Sequence, residues 1–444
     1  LTARFWIAAI FLGLLSVGSG GVADSRAQSN PTAFRAACVK VDITPETPQW
    51  LHGYAPRKSE GVHDRLYHRI VVMEDSNTPF VLISTDVCTI SPEFYHAFCE
   101  QLKERTGIEP DQVWWAATHT HSAPHVGPQD LAELFSKSLG DRFSIDHDEG
   151  HWDWVRDRLL EGVIEARSKL EPARIGIGTA TSYANINRRG WSADGRSILG
   201  VDPEAPVDRQ IGLIRLERPD GSPIALIANY AMHATVLGSR NTLISGDAPG
   251  IVAEFVESKV GAPCLYINGA EGNVAPIYSV RADFDHSHIG EFNALLGNRI
   301  LAANRSIQST TDRVELRIGK VVVETPRREG LGWIAALSDY ESLARDGTAL
   351  VRVPVYSLVI NRETAIWGAP LELFSEIAMN VRAASPFSRT FYFGLTNGSL
   401  LYMPTEKAFA EGGYEPSVSP FTPRVEKDFT EGVRAQLQAL AEAD

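Results

Sequence analysis

Short apolar runs alternating with amphipathic stretches dominate this chain, and they limit the folds open to it. Phe80–Asp86 is a nearly unbroken apolar run, the pattern of a buried strand. Pro92–Thr106 follows with Phe94, Phe98 and Leu102 at intervals of four and Gly107 as a stop, which predicts a helix. Gln112–Thr118 returns to a strand pattern. The alternation continues with a helix over Trp152–Leu170 and strands over Ile211–Glu217 and Ile224–Tyr230, joined by the hairpin signal Arg-Pro-Asp-Gly-Ser-Pro. A helix is expected at Ala248–Val260, a strand at Cys264–Asn268 and a helix at Phe292–Arg305. Strands at Val314–Glu324 and Val355–Trp367 precede a helix at Leu371–Ala384, a strand at Thr390–Leu395 and a closing helix at Val433–Ala443. The expected class is α/β, with mixed β-sheets flanked by helices. No sequence repeat or low-complexity linker interrupts the pattern, and polar Gln129–Gly150 reads as a surface excursion.

At 444 residues, 44% hydrophobic and 22% charged, the composition is that of a globular protein. The net charge of −13 argues against nucleic acid as a partner. Arg4, an apolar centre from Phe5 to Val17 and small residues up to Ser25-Arg26-Ala27 form a secretory signal over residues 1–27, with an uncleaved anchor as the alternative. A secreted or periplasmic protein follows, its mature part running over 28–444. In that compartment Cys88 and Cys99 are either a disulfide or two buried thiols. No Gly-x-Ser-x-Gly elbow, His-Glu-x-x-His, P-loop or Gly-x-Gly-x-x-Gly is present.

What chemistry there is gathers at strand ends. His119 and His121, in Ala117-Thr-His-Thr-His-Ser122, are two apart, so on a strand both face one side, as a metal or an acid–base pair requires. His233 ends another apolar strand. Glu372 sits where a helix is expected to begin, a position that ordinarily serves the helix dipole. Tyr402 alone reads as a packing aromatic. Asp86, at a strand end, is either a structural carboxylate or a group that orients a histidine.

Taken together, Val41-Asp-Ile-Thr-Pro45, Gly53-Tyr-Ala55, Gly61-Val-His-Asp-Arg-Leu-Tyr67, Ser84-Thr-Asp86, Thr118-His-Thr-His-Ser122, Asn187-Arg188, His233, Ser245-Gly-Asp247, Asn268 to Pro276, Pro370-Leu-Glu372, Tyr402 and Tyr414-Glu415 resemble the catalytic domain of the neutral (alkaline, non-lysosomal) ceramidases. The resemblance runs in family order from about Ala36 to the end of the chain. It implies a zinc amidase that splits the N-acyl bond of ceramide into sphingosine and a fatty acid. It also implies Zn2+ ligation by His119, His233, Glu372 and Tyr402, with His121 at the reacting carbonyl and Arg188 and Tyr414 in contact with substrate. The implied mechanism is metal-assisted hydrolysis, with oxyanion stabilisation by His121 and Tyr414 and a proton for the leaving amine from His121.

Two departures qualify the resemblance. Ala275 stands where some members carry a serine, which leaves a metal-assisted route rather than a serine nucleophile. The expected domain reading, 28–444 as one ceramidase-like zinc hydrolase domain, includes no C-terminal β-sandwich of the ceramidases. A smaller amide or ester is therefore an alternative substrate, and a catalytically silent lipid- or carbohydrate-binding protein an alternative function. The expected partner is a small N-acyl lipid or related amide; peripheral membrane contact and oligomeric state are left open.

Overall fold

The computed structural model describes residues 34–443 apart from 76–77, 128–147, 279–287, 331–332 and 334. The expected signal over 1–27 and most of the excursion at Gln129–Gly150 lie outside the described residues.

The first sheet is built from β1 (Arg35–Asp42), β2 (Tyr67–Glu74) and β3 (Pro79–Thr85), a helical crossover α1 (Pro92–Thr106), and β4 (Val113–Ala117). Ser91 caps α1 by accepting from the Phe94 N–H, and Gly107 ends it at φ 74°. β1, β2 and β3 are antiparallel neighbours, and β4 lies parallel to β3 at the edge. Helix α2 (Glu149–Ser168) joins α1 on the outer face of this sheet.

The same topology recurs twice. In the second sheet β5 (Arg174–Thr181) leads, through the hairpin β6 (Asn185–Trp191) and β7 (Ser197–Asp202), to β8 (Gln210–Glu217) and β9 (Pro223–Tyr230). Crossover α3 (Asp247–Val260) then places β10 (Cys264–Asn268) parallel to β9. Strand β11 (Val274–Pro276) pairs with β6, and α4 (Asn298–Ser306) follows. In the third sheet β12 (Leu316–Pro326), β13 (Ala349–Ile360) and β14 (Thr364–Gly368) are antiparallel. Two-residue β15 (Glu372–Leu373) and crossover α5 (Ser375–Ala383) lead to β16 (Arg389–Phe393), parallel to β14. Two-residue β17 (Tyr402–Met403) pairs with β15, and α6 (Val425–Glu442) closes the chain.

Alternation along the strands explains why the sequence runs are apolar throughout. Val71, Leu82 and Trp114 of the first sheet, Ile214, Ile227 and Leu265 of the second, and Leu358, Ile366 and Phe391 of the third form one central core. The intervening residues, such as Val72, Val81 and Trp115, face the helices instead. Both faces of each sheet are covered, so alternate positions are all apolar. Burying one such Leu or Val side chain contributes roughly 1.5–3 kcal/mol.

The parallel edge strands of the three sheets meet, and polar side chains link their edges. Ser84 donates to the Tyr266 carbonyl at 2.6 Å. Asn229 donates to the Tyr392 carbonyl at 2.9 Å. Asn397 donates to the Val113 carbonyl at 3.0 Å and accepts from the Trp115 N–H at 2.7 Å. Backbone groups of the edge strands thereby gain partners.

The structure corrects several expectations. The threefold recurrence lies in topology and has no counterpart in sequence. Val355–Trp367 is two strands, because Asn361 and Arg362 both adopt left-handed φ (53° and 57°) and reverse the chain. Glu372 does not open a helix: it lies on β15, and α5 begins three residues later. Phe292–Arg305 is divided into a π-helical turn, Asn293–Gly297, and α4. The closing helix begins at Val425. All four cysteines are free, which favours the thiol reading of Cys88 and Cys99. No helix among the described residues is long and apolar enough to cross a membrane.

Candidate metal centre

The residues of interest leave the sheets at the carboxyl ends of the converging parallel strands, where α/β architectures build their sites. His119 follows β4, His233 follows β9, Glu271 follows β10, Glu372 follows β14 and Tyr402 follows β16. The backbone is strained here. Five of the seven non-glycine residues with left-handed φ among those described are His119, Leu395, Asn397 and Leu401 in these loops and Asp247 at the start of α3. The His119–His121 spacing therefore acts differently from the strand expectation. Strand β4 ends at Ala117, and left-handed His119 (φ 65°) turns the chain so that the two rings meet edge-on at 4.8 Å.

Hydrogen bonds set the tautomers. The His119 Nδ1–H donates to the Cys88 carbonyl at 2.8 Å, and the His233 Nδ1–H donates to the Glu271 carbonyl at 2.8 Å. A carbonyl only accepts, so in each neutral ring the lone pair is on Nε2. Both Nε2 atoms approach the same carboxylate oxygen, Glu372 Oε2, at 3.3 and 3.2 Å. The Tyr402 hydroxyl lies 3.4 Å from His233 Nε2. Ligands about 2.0–2.2 Å from a tetrahedral metal stand about 3.3–3.6 Å from one another, so these separations match the edges of such a polyhedron. Lone pairs facing one another in a fully buried cluster repel unless a cation or protons intervene. The donor set, two imidazoles, a carboxylate and a phenol, fits zinc.

The electrostatics show how strongly the cluster draws a positive charge in between His119 and Glu372. Burial works against a charge on His119, but Cys88 and Glu372 outweigh it and hold its pKa well above the ordinary value. Burial opposes ionisation of Glu372, and His119 and His233 overcome it, so its carboxyl stays well below the usual range. Burial and Arg188 bring His233 down to about 3. Burial, with Glu372 beside it, pushes the Tyr402 phenol well up.

The other anticipated residues surround this cluster. His121 Nε2 lies 3.3 Å from His119 Nε2, and burial with the two neighbouring imidazoles keeps its pKa well below the ordinary value. Its ring packs edge-on against Tyr54 at 4.7 Å. Gly53 must lack a side chain, because a Cβ there would come within 2.5 Å of the His121 ring. Arg188, on β6, donates to Glu415 at 2.9 Å and lies 5.4 Å from the Tyr402 ring centre. The Tyr414 ring is 5.6 Å from that of Tyr402 and is 37% exposed, so this side of the cluster reaches solvent. Ala275 lies buried on β11, opposite Ile186 of β6.

Asp86 takes no part in orienting a histidine. It accepts from Arg69 at 2.9 Å and from the Tyr67 N–H at 3.0 Å, within a buried ion-pair network that includes Glu257. Two participants lie in segments that carry the resemblance but had no role assigned to them. Glu415 holds both Arg188 and Arg189. Glu271 is fully buried, and burial raises its pKa to about 8. Its signal was a carboxylate in the apolar, glycine-rich turn just after a strand.

Fold and site together define a three-sheet α/β protein with a buried candidate metal centre of mixed nitrogen and oxygen donors. The chain belongs to the neutral/alkaline non-lysosomal ceramidase family, whose N-terminal domain model matches residues 34–281. It is 29% identical over 272 residues to neutral ceramidase B of Dictyostelium discoideum, covering 56% of this chain and 36% of that protein. Over 268 residues it is 25% identical to the neutral ceramidase of Pseudomonas aeruginosa, covering 56% of this chain and 38% of that one. The crystal structure of neutral ceramidase from Pseudomonas aeruginosa superposes with a TM-score of 0.74 at 20% identity, covering 92% of this chain and 75% of that chain. The matched region spans little more than a third of the length of these two curated relatives.

Proposed function

We propose that this protein is an exported, zinc-dependent amidohydrolase that cleaves the N-acyl bond of a ceramide-like lipid amide. The observation that carries the proposal is the approach of His119 Nε2 and His233 Nε2 to one Glu372 oxygen, with Tyr402 beside them. Relatives named neutral ceramidase support the choice of an amide substrate, and the apolar stretch and small residues over 1–27 support export.

His119, His233, Glu372 and Tyr402 would hold the zinc, which when bound supplies a Lewis acid for the amide carbonyl and lowers the pKa of water to about 7. The Cys88 and Glu271 carbonyls keep both imidazoles in the ligating tautomer. His121, neutral and beside His119, is placed to take a proton from the attacking water and return it to the leaving amine. Arg188 keeps a cation near the Tyr402 ring, its position set by Glu415. Tyr414 supplies a hydroxyl donor on the solvent-facing side, where an acyl chain or amine would enter.

The test is turnover of fluorogenic N-acyl amides of graded chain length by zinc-loaded protein. Activity abolished by chelation and restored by zinc is expected. A zinc-loaded protein inert on every long-chain amide would overturn the reading.

A further inference from the structure

We propose that the Glu271 carboxylate is a fifth ligand of the metal centre, so that this chain offers two imidazoles, two carboxylates and a phenol. The proposal rests on the metal reading above and adds a residue to it.

Several observations converge. Donor atoms of His119, His233, Glu271 and Glu372 all lie within 4.8 Å of one another, and all four residues are buried. Glu271 is fully buried, yet neither of its carboxylate oxygens has a hydrogen-bond partner among the described residues. An ionised carboxylate held so, with no partner, costs several kcal/mol or more. The nearby cation Arg188 gives its Nε to Glu415, and its Nη2, unpartnered among the described residues, makes no hydrogen bond to Glu271.

The Glu271 main chain is also fixed against the ligand set. Its carbonyl accepts from His233 Nδ1 at 2.8 Å and from the Val274 N–H at 2.7 Å. Gly394 packs beside it: a Cβ there would meet the Gly269 carbonyl at 2.5 Å and Glu271 Oε2 at 3.3 Å. Finally, the topology gives Glu271 the place a ligand should have. It stands three residues beyond the end of β10, as His233 stands three beyond the end of the adjacent parallel strand β9.

A second carboxylate has a chemical consequence. It adds negative charge and a hard oxygen donor, which favours higher coordination numbers and widens tolerance to metals such as Mn2+ and Co2+.

The experiment uses the full chain, stripped of metal and titrated with Zn2+ and Co2+. Wild type, Glu271→Gln and Glu271→Ala are compared by calorimetry, metal analysis and the visible spectrum of the Co2+ form. One tightly held metal is expected in the wild type. In both variants metal affinity should fall at least 10–100-fold. The weak Co2+ absorption of a five-coordinate site should give way to the stronger bands of a four-coordinate one. Glu271→Gln keeps the side-chain volume and decides the question if the Ala variant does not fold. Unchanged affinity and spectrum in a folded variant would overturn the proposal and leave the metal reading intact. A wild type that binds no metal would overturn both.

Discussion

At the scale of single residues, the centre is organised by what each histidine does with its remote nitrogen. Because Cys88 and Glu271 contribute backbone carbonyls, side-chain replacement at either position does not remove the acceptor that sets the tautomer. The two histidines of the His-Thr-His element are separable in the same terms. His119 has a fixed Nδ1 and an Nε2 aimed at Glu372, whereas the Nδ1 of His121 has no partner among the described residues. His119→Ala should remove bound metal and activity together. His121→Ala should retain metal and lower kcat by about 10²–10³, the usual cost of deleting one polar group that serves the transition state. Metal analysis alongside turnover checks both; equal metal loss in the two variants would make His121 a ligand as well.

At the scale of elements, the loops are held because each sheet's exposed edge is finished by another sheet. Asn397, left-handed at φ 62°, reaches across to both the Trp115 N–H and the Val113 carbonyl of β4, whose loop carries His119 and His121. Replacing it with Ala leaves the buried Trp115 N–H unpaired, at about 1–3 kcal/mol, while the Val113 carbonyl keeps the Tyr95 hydroxyl at 3.1 Å. Asn397→Ala should therefore lower the urea midpoint by the equivalent of about 1–3 kcal/mol without changing the m-value. It should also weaken metal binding, because the β4 loop loses its anchor. A midpoint within error of wild type would show that the crossing contact is dispensable.

At the scale of the whole molecule, a buried histidine outside the candidate centre links folding to pH. Trp115 Nε1–H donates to Thr85 Oγ1, the Thr85 hydroxyl donates to His68 Nδ1, and His68 Nε2–H donates to the Val155 carbonyl. The chain ties β2, β3, β4 and α2 together and leaves no site for a second proton on His68. Burial brings its pKa from 6.5 to about 4. Between those values the unfolded chain binds a proton that the folded one excludes, so stability rises with pH across this window. The contribution is complete above about 6.5 and is lost as pH falls through 4, amounting to about 3 kcal/mol. Urea unfolding of the metal-loaded protein at pH 7 and pH 4.5 should show the loss, and His68→Gln should reduce it. An identical pH dependence in the variant would count against this assignment.

Strand and helix identities were legible wherever period and punctuation agreed. Pro92–Thr106 was readable because Ser91, the four-residue apolar spacing and Gly107 all act within one stretch of chain. The turn at Asn361-Arg362 was not, because apolar residues continue on both sides and only the backbone conformation reverses the strand. The four ligand positions were legible only as a combination, through their resemblance to a family, since each alone had an ordinary structural reading. Glu271 and Glu415 could not be assigned in that way. What a carboxylate does depends on which cations and lone pairs lie within a few ångströms of it. Residues 119, 233, 271, 372 and 402 become neighbours only because three sheets direct their parallel edges to one place. The sequence by itself determined which segments are strands, which helices cross over, and where polar groups interrupt apolar runs, all of them local properties. Tertiary structure alone decided that the interruptions converge, because convergence depends on packing between segments more than a hundred residues apart.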